Sequence, residues 1–372
     1  MKLNLKKHTV YLSLAGSHSY GTSTPESDLD IKRVLIPPKE FYLGYVNNVE
    51  QVQSKDELKV FKEYLPEQFK SQAETLDGSV FEIQKFFKLA SDCNPNVLEC
   101  LFIKPEHMLY INPVFQNILD SKHLFLSKKA NFTFRGYLIS QFKRIKTHRE
   151  WLMNPPKKKP ERLDFGLSEH KPLISKETRD YVFAMVQKKI DSWNLDLDEV
   201  KPAKRDQIVQ TLQNYLEDIQ IDREEQFRIA ARSIGLKDDI LSELDKERKY
   251  KQALDYYNQY LSWKENRNPK RAALEAKMGF DGKHASMIYR LAHSCREILE
   301  NHTLNVYRED AKQILAIRNG AWSYERLMEF AETQDKELLK LSETSTLPKG
   351  PDNNKLDSLC IQTIEAFYDK SN

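Results

Sequence analysis

Apolar and polar positions change period along this chain. Residues 9–15 (Thr-Val-Tyr-Leu-Ser-Leu-Ala) are β-branched, aromatic and apolar almost without break, the pattern of a buried strand. Gly16-Ser17 interrupts it. Residues 29–36 form a second such run, stopped by Pro37-Pro38, and residues 77–82 predict a third, shorter strand. The period then shifts. Ile83, Phe86, Phe87 and Ala90 fall at i, i+3, i+4 and i+7, one face of an amphipathic helix. Asn94-Pro95 ends that helix and opens another, because proline is tolerated at the first helical position; this one carries Val97, Leu98, Leu101 and Phe102. From about residue 130 strand signals nearly vanish. Helices are predicted at 133–153, 176–192, 202–218, 222–234, 238–262, 283–300, 308–318 and 323–342, with a short final helix after a loop at 344–356. Asn154 to Pro160 is a basic, proline-punctuated connection, and 264–282 reads as a second loop. No solenoid repeat is present. The expectation is α+β: a small mixed-sheet head followed by a large helical body.

Composition narrows the function classes. The 372 residues, 40% hydrophobic and 30% charged, carry enough apolar material for a core and exclude a mainly disordered chain. Net charge is only +3, so any polyanion site must be local. Glycines number 11, against roughly 26 at the usual ~7%, so a glycine cluster is informative. No stretch approaches the ~18 apolar residues of a membrane span. Lys2, Lys6 and Lys7 ahead of residues 9–16 mimic a secretion leader, but Ser13 interrupts the apolar part and no small-residue cleavage site follows, so a strand is expected. Cys93, Cys100, Cys295 and Cys360 have no metal-ligand spacing. Reduced thiols in the cytoplasm are the economical reading.

The chemistry concentrates in Gly16-Ser17-His18-Ser19-Tyr20-Gly21, a short spacer, and Asp28-Leu29-Asp30. At the strand end, Gly16 lets a phosphate approach the backbone. Ser17 can cap the next helix and offer its hydroxyl and N–H to a phosphate. Asp28 and Asp30 sit two apart on a strand, so both carboxylates share one face. Two acids side by side repel unless a cation lies between them. Hard oxygen ligands suit Mg²⁺, which takes one or two carboxylates plus substrate phosphates. Two such ions ~3.5–4 Å apart would activate an attacking hydroxyl and neutralise a leaving pyrophosphate.

This segment resembles the active-site signature of the DNA polymerase β-like nucleotidyltransferase superfamily: a Gly-Ser turn, a spacer, then Asp-x-Asp. That signature implies a third acid on a nearby strand, for which Asp77 is the candidate and Glu82 the alternative. The resemblance extends to Phe81-Glu82-Ile83-Gln84-Lys85-Phe86, to Asn94-Pro95-Asn96-Val97-Leu98-Glu99, to Gly279-Phe280-Asp281-Gly282-Lys283-His284-Ala285 with Arg290-Leu291, and to Leu315-Ala316-Ile317-Arg318-Asn319-Gly320 with Trp322-Ser323-Tyr324-Glu325. These blocks are similar to a subfamily of nucleotidyltransferases associated with RNA ligases and RNA repair. The resemblance implies a nucleotidyltransferase head over 1–127 and a helical domain over 128–372. It leaves 155–265, where no block is similar, as a candidate insertion. It further implies transfer of an NMP from an NTP, with Asp28, Asp30 and Asp77 catalytic and holding one or two Mg²⁺ ions. Gly16 and Ser17 would grip the triphosphate. Lys283 and Arg290, seven apart on one helix face, would clamp the phosphates. The implied acceptor is an RNA end.

Other readings stay open at this point. Asp77 followed by Gly78 can be an ordinary turn. His18 can be a packing histidine, Glu99 a backbone acceptor, and Lys283-His284 a helix-start pair, with His284 turned inward. Lys157-Lys158-Lys159 reads as a solvated linker. The helix at 133–153 carries Arg135, Lys143, Arg144, Lys146, His148 and Arg149, a candidate RNA-facing surface, while Phe132, Phe134, Tyr137 and Phe142 suit packing against the body. A nucleotide- or RNA-binding module without catalysis and a protein-modifying nucleotidyltransferase of toxin or antitoxin type are the competing functions.

Overall fold

The structure, a computed structural model, describes residues 3–25, 27–44, 51–52, 59–70, 76–169, 175–191, 229, 231–233, 235–267 and 269–369. By compactness the chain divides into two units: residues 1–153 with 268–372, and residues 154–267.

The first unit is built on a five-stranded mixed sheet in the order β3-β4-β2-β1-β5. Its strands are β1 (Thr9–Ala15), β2 (Asp30–Leu35), β3 (Gln51–Val52), β4 (Asp77–Glu82) and β5 (Met108–Ile111). β1 lies antiparallel to β2 and β5, β3 lies antiparallel to β4, and β2 and β4 are parallel. The three strands expected from β-branched and apolar runs are present. β2 begins at Asp30, so Asp28 sits in the segment leading into the strand and not within it. β3 and β5 escaped the pattern. Two residues carry no period, and the half-buried Met-Leu-Tyr-Ile run of β5 is too short to separate from its helical neighbours.

Strand alternation sorts the sheet into two faces. Leu29, Ile31 and Leu35 join Leu12, Leu14, Val80 and Phe61 in a small core on one side. Val34 and Phe81 face the other way, into the main core. That core continues through Phe86 and Phe87 of α2 (Ile83–Ser91), Phe134 and Leu138 of α3 (Lys129–Met153), Ile288 and Leu291 of α4 (Gly282–Asn301) and Ile317 of α5 (Ala311–Arg318). It reaches Leu327 of α6 (Tyr324–Thr344) and Phe367 of α7 (Asn353–Asp369). Each such side chain, fully buried, stabilises by about 1.5–3 kcal/mol. Head and helical body therefore share one core.

Capping explains where the helices start. Glu82 accepts the N–H groups of Gln84 and Lys85 at the head of α2. Asp281 accepts those of Lys283 (2.7 Å) and His284 (3.3 Å) at the head of α4. Asn94 accepts from Asn96 ahead of Pro95–Leu98. The stretch 264–282 is not one loop: Pro269–Met278 is helical, with proline at the tolerated first position. The final helix, α7, runs 17 residues and is longer than expected. The expected helix 202–218 and most of 222–234 lie outside the described residues.

In the second unit, the helix Asp238–Glu265 packs on the single turn Arg162–Phe165. Arg162 forms a two-pronged ion pair with Glu247 (2.5 and 3.0 Å). All four cysteines are buried and free. Among the described residues no helix is long and apolar enough to cross a membrane.

Candidate active site

The parallel pairing of β2 and β4 places Asp30 directly beside Asp77, Lys32 beside Ser79 and Val34 beside Phe81. Alternation turns Asp30 and Lys32 to the same face as Val34, away from Leu29 and Ile31. Two aspartates on neighbouring strands thus share one end of one face. Asp77 is further fixed by its backbone. Its N–H donates to the Leu29 carbonyl (3.1 Å), and its carboxylate accepts the Gly78 N–H (2.7 Å). At Gly78 a Cβ would run into the Ile31 backbone, so only glycine lets the two strands close at this point.

β1 ends at Gly16, and a short helix, α1 (Gly16–Tyr20 in chain order before α2), follows. Gly16 has φ +60°, and a Cβ there would overlap the Asp30 carboxylate. The bare glycine therefore makes room for Asp30 itself, a use that the expectation of a phosphate approach did not include. Ser17 is not the cap of α1. Ala15 holds that position with an extended backbone and no side-chain bond, and Ser17 lies in the first turn. α1 closes at Gly21 in a left-handed conformation against the Tyr307 ring.

Two cavities meet at Asp30. The smaller, about 220 Å³, is lined by Ser17, Asp28, Lys283, Arg290 and Arg318 among others; the larger, about 710 Å³, is lined by Asp77, Ser79, Lys32 and Lys85. Gly16, Tyr20, Asp30 and Asn96 border both. Burial holds the Asp30 carboxyl above its ordinary value, and the charges of Asp77 and then Asp28 push it the same way. Lys283 and Lys32 oppose them. Asp30 therefore interacts with both other acids, and the charge of Lys283 acts on it from the smaller cavity.

Arg290 reaches the smaller cavity but is already engaged. Its guanidinium pairs with Glu99 and lies 3.9 Å from the centre of the Tyr20 ring, whose hydroxyl donates to the same Glu99 (2.7 Å). Arg290 and Glu99 are 7% and 5% exposed. This buried triad fastens α4 to α1 and to the Asn-Pro turn. In the sequence Arg318 stands only within the block Leu315 to Gly320. It becomes legible as a site residue once α4 and α5 are seen to touch: a Cβ at Gly282 would overlap the Arg318 carbonyl, so the end of α5 rests on the start of α4.

Several other candidates have structural partners. Glu82, five residues along β4 from Asp77, caps α2 and accepts from the Tyr42 hydroxyl (2.6 Å). His18 packs edge-on against Phe69. His284 bonds Gln141 (2.7 Å) as an inward-turned histidine. On α3, Arg135 pairs with Asp335 (2.5 Å), Arg149 donates to the Gly279 carbonyl (3.0 Å) and Lys146 lies over Phe142. Phe134 is buried, while Phe132 is exposed. Lys157, Lys158 and Lys159 are exposed, with Lys158 paired to Asp164.

Among the described residues no three histidine, cysteine, aspartate or glutamate side chains gather as a ready-made metal cage. The donor set fits a different kind of site. Asp30 and Asp77 are adjacent hard-oxygen donors that repel each other when bare, with Asp28 beside them. Mg²⁺ is commonly held by one or two carboxylates and completed by substrate phosphates.

Residues 3–157 match the RNA repair pathway DNA polymerase beta family. The chain is also similar to an uncharacterized 38.9 kDa protein of Enterobacteria phage T4, from the nrdC-mobD intergenic region. The two are 33% identical over 135 residues, which cover 36% of this chain and 37% of the phage protein. The match thus spans little more than a third of the relative's length. No solved structure matches the chain. With the Gly-Ser turn, the paired aspartates and the mixed sheet on the matched segment, residues 3–157 are similar to the polymerase β-like nucleotidyltransferases of the RNA-repair subfamily.

Proposed function

We propose that the protein is a Mg²⁺-dependent nucleotidyltransferase that moves an NMP from an NTP to a hydroxyl of an RNA end. The observation that carries this reading is the registered pair Asp30–Asp77 at the Gly16 turn, with Asp28 and Lys283 acting on the Asp30 charge.

In this reading Asp28, Asp30 and Asp77 would hold the metal. When bound, the ion supplies a lower pKa for the attacking hydroxyl and charge neutralisation for pyrophosphate. The chain's own residues do the rest. Ser17, Lys283 and Arg318 bind and orient the triphosphate from the smaller cavity, Ser17 as a hydrogen-bond donor and the two cations as fixed positive charge aimed at developing negative charge. Asp77 takes the proton of the acceptor hydroxyl. The acceptor oxygen forms a bond to the α-phosphorus, the bond from that phosphorus to the β-bridging oxygen breaks, and pyrophosphate leaves. Arg290 positions α4 through Glu99 and borders the phosphates.

The test is incubation with α-labelled NTPs, Mg²⁺ and a pool of RNAs and proteins. Label on RNA with release of pyrophosphate supports the reading. Saturable NTP binding without transfer supports a binding module, and label on a protein band supports a protein-modifying enzyme. The Asp28→Asn/Asp30→Asn double variant loses transfer; retained transfer contradicts the metal assignment.

A further inference from the structure

One face of α3 is used neither by the core nor by the cavities. The helix buries Phe134, Leu138, Gln141 and Ile145, a stripe at i, i+4, i+7 and i+11. Its flanks are also taken. Arg135 pairs with Asp335 of α6. Lys129 pairs with Asp92 (2.7 Å), and the Thr133 hydroxyl donates to the Cys93 carbonyl (2.7 Å). Opposite the buried stripe, Phe132, Gly136, Ser140 and Lys143 repeat at helical spacing, and all four are exposed. Arg144 is exposed beside them. The face lies close to the site, because the Asp92-Cys93 turn that α3 grips leads within three residues to Asn96, which borders both cavities.

Charge and shape say what this face fits. α3 carries six lysines and arginines against one acid, Glu150, a local excess larger than the +3 of the whole chain. That is the local concentration of cations that a polyanion needs. Arg135, Lys129 and Arg149 are tied to the fold, and Lys146 lies over Phe142. Lys143 and Arg144 make no ion pair among the described residues. Phe132 is 72% exposed, and the space over Gly136 is open. An exposed ring on a basic face suits a base that has left its own stack, which a single strand offers and a duplex does not. An acidic peptide would use the cations and leave the ring idle. We propose that the exposed face of α3 docks single-stranded RNA, with Phe132 stacking on a base and Lys143 and Arg144 holding phosphates of the strand whose end enters the site. The ring and the cations stand roughly 17 Å apart along the helix, at 1.5 Å per residue, so a strand of several nucleotides is needed to touch both. The choice of RNA rests on the acceptor reading above.

Two measurements test the docking face and keep it apart from that reading. The first is binding of a fluorescent single-stranded oligoribonucleotide, long enough to span the face, to the full-length protein in EDTA without NTP, over a range of salt. Each phosphate contact on a single strand contributes about 0.7 to the slope of log affinity against log salt. Lys143→Gln/Arg144→Gln is expected to flatten that slope by about 1.4 and to weaken binding about tenfold or more. Phe132→Ala is expected to weaken binding about fivefold or more with the slope unchanged, and Phe132→Trp to restore it. A wild-type slope in the double variant, wild-type affinity in Phe132→Ala, or competition by polyglutamate as strong as by RNA overturns the proposal. The second is steady-state transfer. The double variant is expected to raise KM for the long acceptor and to leave KM for NTP and for a dinucleotide acceptor unchanged. Equal rises for both acceptors overturn the proposal. Wild-type protein whose RNA binding depends on Lys143, Arg144 and Phe132 but which transfers no label contradicts the nucleotidyltransferase reading alone. Intact transfer with α3 variants that bind like wild type overturns the docking face alone.

Discussion

Asp30 sits where three strands' worth of constraint meet: the Gly16 turn on one side, Asp77 on the other and Leu29 buried behind it. Its carboxyl is held above the ordinary value by burial, then by Asp77 and Asp28. In the unfolded chain the group ionises near ~3.9. Between that value and the raised one the folded protein binds more protons than the unfolded chain, so this group's contribution to stability falls as pH rises through the window. The penalty is fully present at neutral pH. Asp30→Asn is therefore expected to abolish transfer while raising the melting temperature of chelator-treated protein at pH 7, by about 2–4 °C for ~1 kcal/mol. The gain should shrink towards pH 4. A lower melting temperature at pH 7 contradicts this account. Gly16→Ala tests the turn, since a Cβ both strains the positive φ and displaces the Asp30 carboxylate. It is expected to lower transfer at least tenfold while costing about 1–3 kcal/mol of stability, readable by urea denaturation. At this scale the nearness of Asp30 to the glycine stop was legible because it is a local signal, whereas Asp28 precedes the strand and falls outside the period-two expectation. The purpose of Gly16 was not legible, because Asp30 reaches it only through the pairing of Ala15 with Asp30.

Elements carry the second level of the argument. Strand β4 presents Asp77 to Asp30, and Glu82 at its other end caps α2. The helix that starts at Ile83 marks Glu82 as the weaker candidate locally, but the pairing of 30 with 77 has no local signal, because that parallel register spans a connection of some forty residues. Helix α4 is the second case. Spacing placed Lys283 and Arg290 on one face, and both border the smaller cavity, yet Arg290 is spent on Glu99 and Tyr20. That partnership joins residues 191 positions apart and leaves no trace in periodicity. Breaking a buried ion pair by removing one partner costs about 3–5 kcal/mol, because the other charge stays buried. Arg290→Met is expected to destabilise by that amount in denaturant titration, and Arg290→Met with Glu99→Gln to recover part of it. Destabilisation that is simply additive contradicts the coupling.

The whole molecule divides at Asn154 and Arg267 into two compact units. The proposed split at 127/128 into a nucleotidyltransferase head and a helical part is a division of chemistry, since Val10 of the head and Phe367 of the last helix lie in one core. The mixed sheet and helical body were readable from the change of hydrophobic period near residue 130. The shared core was not, because amphipathic faces do not announce which surface they will meet. Two units imply two calorimetric transitions, with a calorimetric enthalpy larger than the van't Hoff value. Asp30→Asn should move only the transition of the unit that carries the site; one transition with equal enthalpies contradicts the division. The central claim is that Asp30 and Asp77 form one catalytic pair, and the most direct measurement follows label from an α-labelled NTP onto RNA together with pyrophosphate release, with Mg²⁺ present. Wild type is predicted to transfer, and Asp30→Asn and Asp77→Asn to lose at least about a thousandfold each, as for groups that act as a unit. Undiminished transfer by either variant would contradict the account.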